Sequence, residues 1–231
     1  MANTARNKPG QEQITVVDES NPMESIAAKY ESNKKRINTI VTVVLVAVVG
    51  FFAYQNLYKA PRESKAAAKM SYAQSMFEVD SLDAALNGDG QHPGFLKIQK
   101  QYSGTSSANL THYYAGISYL KKGDYQKAIK QLEDFDGKGT QVAYAAWGAL
   151  GDAYMEAGNT KKGIEYYNKA ADNTEDEAIT PIYLYRAGLA YEMSNQPEEA
   201  KKAYIRIRDN YPQSLQARDV SRNLARLGVL D

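Results

Sequence analysis

The sequence predicts an all-α protein, with one transmembrane helix near the N-terminus followed by a solenoid of helix–turn–helix units. Three observations predict it. A Gly-x-x-Tyr pair recurs as Gly116–Tyr119, Gly151–Tyr154 and Gly188–Tyr191, its glycines 35 and 37 residues apart. Nine residues after each Tyr stands a small residue, Ala128, Gly163 or Ala200, and four further on a bulky one, Leu132, Tyr167 or Tyr204. A repeat of about 34 residues with such offsets describes stacked helical hairpins. Gly or Ala on facing helices lets the axes approach, and the large residue fills the space between hairpins. The third observation is Ile37–Tyr58, 22 residues without a charge.

The elements follow in chain order. Met1–Val17 is polar and aperiodic, as expected of a disordered segment. Asn21-Pro22 opens a short helix to Arg36, with Ile26, Ala27 and Tyr30 as a modest apolar face. That helix either continues into the apolar run or lies at a membrane surface. Residues 1–36 thus form a tail, expected on the cytoplasmic side, and 37–58 the span. A helix of that length covers about 33 Å, enough for a hydrocarbon layer. It is apolar all round, unlike the amphipathic helices of a solenoid. Thirty-six preceding residues are too many for the n-region of a cleaved signal, so a permanent single-pass anchor is expected. Lys34-Lys35-Arg36 abuts the run, favouring a cytoplasmic N-terminus, although Lys59, Arg62, Lys65 and Lys69 follow on the other side.

Pro61 marks a kink, and residues 59–108 form a linker helix and a degenerate first repeat. Its helices are expected at Ser64–Leu86 and Pro93–Gln101, with Asn87–Gly90 as an enlarged turn. Residues 109–214 hold three clear repeats. Tyr102–Ala108 and Tyr211–Ala217 share Tyr-x-x-[Ser/Thr]-x-x-Ala, in which Thr105 and Ser214 cap the next helix. Residues 215–231 supply a capping helix whose Ala217, Val220, Leu224 and Leu227 cover the last repeat.

Composition narrows function. The chain has 28 basic and 27 acidic residues, so it carries no electrostatic footprint for nucleic acid. It has no cysteine, which excludes thiol catalysis, Cys-ligated zinc and a lipid-modified N-terminal Cys. His92 and His112 lie in different elements without a ligand partner, so no metal or other cofactor is expected. The glycine-rich Asn87–Gly94 stretch lacks the Lys and strand–helix setting of a phosphate loop. Asp172–Glu177 lacks the spacing of a calcium loop. No nucleophile–base pair can be assembled, and the chain is not expected to be an enzyme.

The repeat residues resemble those of the tetratricopeptide repeat over roughly Asn109–Ser214. The second unit reads Trp147, Leu150, Gly151, Tyr154, Gly158-Asn159, Gly163, Tyr167 and Ala170. The first reads His112, Ala115, Gly116, Tyr119, Gly123-Asp124, Ala128, Leu132 and Phe135. The third reads Leu184, Ala187, Gly188, Tyr191, Asn195–Pro197, Ala200, Tyr204, Ile207 and Pro212. Trp is missing from the first and third units, and Phe135 and Ile207 stand where a small residue is usual.

The resemblance implies a groove lined by the first helix of each unit. Leu110, Tyr113, Ile117, Leu120 and Lys121 would come from the first, and Ala145, Gly148, Asp152, Met155 and Glu156 from the second. Ile182, Tyr185, Leu189, Glu192 and Met193 would come from the third. The expected surface is apolar and aromatic with an acidic patch, and lacks the Lys, Arg and Asn of carboxylate-clamp repeats. Tyr113 and Tyr185 are the expected anchors, facing away from the hairpin contacts, with Met155 and Met193 adapting around them. The occupant would be a peptide segment of another protein, the chain's own helices or a second copy in a homo-oligomer.

Tail, span and repeats together resemble a bacterial envelope group that includes the ancillary subunit of the SecYEG translocon and the Tol-Pal-associated cell-division coordinator. That resemblance implies a protein-binding adaptor or chaperone-like scaffold at the inner membrane, with periplasmic repeats. A permanently assembled subunit of a membrane complex and a cell-division or envelope regulator are the alternatives it leaves.

Overall fold

The computed structural model describes residues 22–172 and 176–229. Met1–Val17, expected to be disordered, lies outside them, as do three residues of the acidic loop after Asp172. The chain divides into one unit ending at Gln55 and another beginning at Asn56. The first holds helix α1 (Pro22–Ala53), so Pro22–Arg36 and the apolar run share one helix. It is long and apolar enough, by length and composition, to cross a membrane. Val43, Val46, Val49, Phe51 and Phe52 on it are exposed.

Backbone bonding widens to a π-helix at Tyr54–Lys59, immediately before α2 (Ala60–Glu78). Pro61, near the start of α2, has no N–H to give to the preceding turn, and a π-segment accommodates that loss. The expected Ser64–Leu86 helix is interrupted. Asp80 takes φ 59°, the Asp80 N–H donates to Phe77 O and the Ser81 N–H donates to Met76 O, which ends α2 in a Schellman motif. A short α3 (Leu82–Asn87) and then α4 (Phe95–Gln101) follow. Phe95, Ile98, Leu86, Met70 and Ala66 bury together under α5 (Ser106–Lys121).

Three hairpins come next. They are α5 with α6 (Tyr125–Glu133), α7 (Val142–Glu156) with α8 (Thr160–Ala170), and α9 (Thr180–Met193) with α10 (Pro197–Asn210). Each turns through one left-handed residue, Gly123, Gly158 or Asn195. The N–H of the following residue closes a Schellman bond to the carbonyl of Tyr119, Tyr154 or Tyr191. The repeated Tyr therefore stands where each first helix ends. A capping helix, α11 (Ala217–Arg226), buries Val220 and Leu224 against the third hairpin. It starts two residues later than Leu215, which stays exposed.

The spacing of small and bulky residues has the expected cause. A Cβ on Gly116 would press into the Leu132 side chain, one on Gly151 into the Tyr167 ring, and one on Gly188 into the Tyr204 ring. The tyrosines of the first helices reach back to the preceding hairpin. Tyr154 Oη donates to Glu133 Oε1 at 2.6 Å, and Tyr191 Oη accepts from Asn168 Nδ2 at 2.9 Å. Glu133 and Asn168 occupy equivalent places on α6 and α8.

Glu63 joins α2 to the start of the repeats. Its carboxylate accepts from the Ser106 N–H at 2.6 Å and the Ser107 N–H at 2.7 Å, and also from Ser107 Oγ. Those N–H groups open α5, whose own cap, Thr105 Oγ1, accepts from the Ala108 N–H at 3.1 Å. Burial raises the Glu63 carboxyl, but the bonds from Ser107 and Ser106, with Lys59 nearby, outweigh it and hold the group below its ordinary value. A lowered carboxyl contributes stability above its unfolded-state value of 4.5, and that contribution fades as pH falls through the lower folded value. Glu63→Gln is therefore expected to cost about 0.5–2 kcal/mol near neutrality and to flatten the stability profile below pH 4.5. Thermal unfolding of both proteins across acid pH checks it. Parallel profiles would assign the acid sensitivity to other carboxylates.

Candidate functional site

A cleft of about 370 Å³ opens across the first helices of the repeats. Leu120 of α5 and Met155 of α7 form its apolar walls, and Asp152, Glu156, Arg186, Tyr125 and Tyr167 supply polar atoms. The repeat period positions them, because Leu120 and Met155 occupy equivalent places in successive units. Tyr167 Oη donates to Asp152 Oδ1 at 2.7 Å, and Arg186 Nη1 donates to both Asp152 oxygens. The Arg186 guanidinium also lies 5.7 Å from the Tyr183 ring centroid. Burial, followed by the Asp152 charge and its hydrogen bond, keeps the Tyr167 hydroxyl far above the ordinary tyrosine range, so it remains a donor. Arg186 thus fastens repeat three to Asp152 of repeat two, and Tyr167 holds Asp152 from within its own hairpin.

This changes the expected acidic patch. Asp152 is neutralised by Arg186. Glu192 is mostly buried, accepts from Tyr204 Oη at 2.7 Å and pairs with Arg226 of α11 at 3.0 Å. Glu156 is exposed and makes no ion pair among the described residues, so the patch reduces to one carboxylate at the cleft mouth.

The remaining expected groove residues do not share this cleft. Gly148 is no part of an open wall, because the Tyr183 ring from α9 occupies the space its missing side chain leaves. Tyr113 packs edge-on against Tyr114, 5.6 Å between centroids, and against Phe135 at 5.8 Å. Tyr185 lies 5.9 Å from the Tyr204 ring and accepts a hydrogen bond from Asn223 Nδ2 of α11. Both rings therefore belong to helix packing, contrary to the expectation that they face away from it. Ile117 is half-buried in the core shared by the first two hairpins, and Ile182 is half-buried on α9. Leu189 and Met193 are exposed further along α9, Met193 by 75%. Lys121 turns away to pair with Asp80 at 2.9 Å. Sequence reasoning missed Arg186, whose signal was a cation where the other units carry Tyr114 and Ala149.

Leu110 lines a second, larger cleft of about 680 Å³ with His112, Asn109, Gln99, Phe135 and Thr140. Its polar groups serve the fold. Asn109 exchanges hydrogen bonds with the Asp136 backbone at 2.7 and 2.9 Å, and His112 Nδ1 and Gln99 Nε2 share Gln131 Oε1. The Asn87–Gly94 turn is likewise engaged with itself. Asp89 accepts from the His92 N–H at 2.7 Å, contacts its ring at 3.0 Å and accepts from the Gln91 N–H at 2.9 Å. The His92 bonds come first in holding the Asp89 carboxyl far below the carboxylate range. The His92 ring stacks on Tyr72 at 4.4 Å.

Two comparisons bear on this arrangement. Residues 113–178 and 183–214 each match a model of the tetratricopeptide repeat. The first match runs from within α5 to beyond α8, and the second from within α9 to beyond α10. Comparison with the curated proteins gives no match.

Proposed function

We propose that the protein is a membrane-anchored adaptor that holds a segment of another protein across its repeats. Tetratricopeptide repeats are protein–protein interaction scaffolds, and these repeats carry the general function. The observation that carries the finer reading is the open cleft across successive first helices, with Leu120 and Met155 as walls and Glu156 at its mouth. Apolar walls beside one unpaired carboxylate suit an apolar segment with a basic residue. The exposed apolar surface of α1 supports anchoring in a bilayer, with Tyr54 and Tyr58 at the interface. The basic cluster Lys34–Arg36 supports a cytoplasmic N-terminus, which would put the repeats in the periplasm of a bacterial inner membrane.

Carbonate washing of membranes is expected to leave the full chain in the pellet. Protease added outside the intact inner membrane is expected to remove the repeats and spare the tail. Release by carbonate would contradict the span, whereas repeats cut only from the cytoplasmic side would reverse the topology.

A further inference from the structure

We propose that the residues following the apolar run form a collar for anionic lipid headgroups, in which Lys59, Arg62 and Lys65, joined by Lys69 one turn farther, hold lipid phosphates. The proposal rests on the reading of Ile37–Tyr58 as a membrane span. Its first support is position. Lys59 is the residue after Tyr58, and at 1.5 Å per residue Lys65 lies roughly 10 Å further along a helix and Lys69 roughly 16 Å. The first three are within reach of a headgroup layer, and Lys69 lies near the limit of its field. Arg62, Lys65 and Lys69 fall within about 60° of one another around α2.

The second support is where the carboxylates go. Lys65 and Lys69 are exposed and make no hydrogen bond or ion pair among the described residues. Glu63 is the only acidic residue between Lys59 and Phe77, and its oxygens are turned onto the Ser106 and Ser107 N–H groups. Carboxylates on neighbouring elements are also engaged elsewhere, Asp80 with Lys121, Asp83 with Lys122 and Asp89 with His92. Glu78 stands nine residues beyond Lys69. Lys65 and Lys69 are thus left without anions of their own, and Lys59 shares the Glu63 carboxylate with the N–H groups of Ser106 and Ser107.

The third support is that one of these cations is held in place. Arg62 Nη2 donates to the carbonyls of Gln101 and Ser103, at 3.3 and 3.4 Å, and its guanidinium lies 5.4 Å from the Tyr58 ring centroid. The guanidinium keeps further N–H donors, and a phosphate accepts from Arg in forked geometry. The same helix carries Glu63, which fastens α2 to α5. Phosphates gripped here would seat the first repeat at the membrane surface.

The chain has no cysteine, so a fluorophore on Ser64→Cys, an exposed position between Arg62 and Lys65, is unique. The full chain is reconstituted into phosphatidylcholine vesicles carrying trace headgroup-quencher lipid, either phosphatidylglycerol or phosphatidylcholine. Quenching by the phosphatidylglycerol probe is expected to exceed that by the phosphatidylcholine probe roughly three- to tenfold. The ratio should fall most of the way to one in the triple variant Lys59→Gln, Lys65→Gln, Lys69→Gln, which leaves only Arg62 of the collar, and should withstand millimolar inorganic phosphate at constant ionic strength. Flotation of the same samples separates the two claims. A protein that floats but shows equal quenching overturns the collar and leaves the span standing, whereas one that fails to float overturns both. Displacement by inorganic phosphate would make this a site for soluble phosphate and would also overturn the lipid assignment.

Discussion

Tyr204→Ala is expected to destabilise the repeat unit by about 3–5 kcal/mol, the range for truncating a fully buried aromatic residue. Tyr204 has no exposed surface, its ring covers Gly188, and its neighbours in the core are Leu184, Ala200, Ile207 and Val220. No neighbouring side chain is free to collapse into the cavity, because Tyr185 is held by Asn223 and α11 closes the other side. Tyr204→Phe keeps the ring and loses only the bond to Glu192, which retains Arg226. It should cost about 1 kcal/mol. Urea midpoints of the full chain in detergent, followed by helical circular dichroism, compare the two. Equal costs would mean that the hydroxyl–carboxylate link, and not ring packing, holds the two helices of the third hairpin together.

Gly151→Leu is expected to cost about 3 kcal/mol, at the upper end for overpacking a core. Even a methyl group there would enter the Tyr167 ring, and that ring cannot swing away without losing its bond to Asp152. The strain would pass to the Asp152–Arg186 pair, so the joint between repeats two and three should loosen as well. Asn159→Ser in the same hairpin is the control. Asn159 Oδ1 accepts from the Lys162 N–H at 3.2 Å, a cap that a Ser hydroxyl can replace. That change should stay within about 0.5 kcal/mol. Equal effects at the two positions would mean that the glycines do not mark the helix contacts.

The repeats were legible because their signal is a packing constraint written at fixed offsets. Gly116, Gly151 and Gly188 announce a close approach, and Leu132, Tyr167 and Tyr204 announce what fills it. Gly123 and Gly158 announce the turns, since few other residues adopt their backbone angles. Asp80 hid a helix end for the same reason in reverse, as it adopts a left-handed angle that sequence patterns assign first to glycine. The site was legible only in part. Register places Leu120, Asp152, Met155 and Glu156 on one line of the solenoid, and the structure brings those four to one cleft. Register says nothing about a side chain arriving from a neighbouring helix. Tyr183 over Gly148, Arg186 on Asp152 and Arg226 on Glu192 are all such arrivals, and each closes or neutralises a position that the repeat pattern leaves open.

The cleft across the first helices is the working surface in this account, and crosslinking by position tests it most directly. A photoreactive amino acid is placed at Leu120 or Glu156 in the cleft, or at exposed Lys130 or Lys161 on the second helices, and adducts formed in cells are identified by mass spectrometry. The account predicts one common protein adduct from Leu120 and Glu156 that is absent from Lys130 and Lys161. Adducts confined to Lys130 and Lys161, or equal at all four positions, would contradict it.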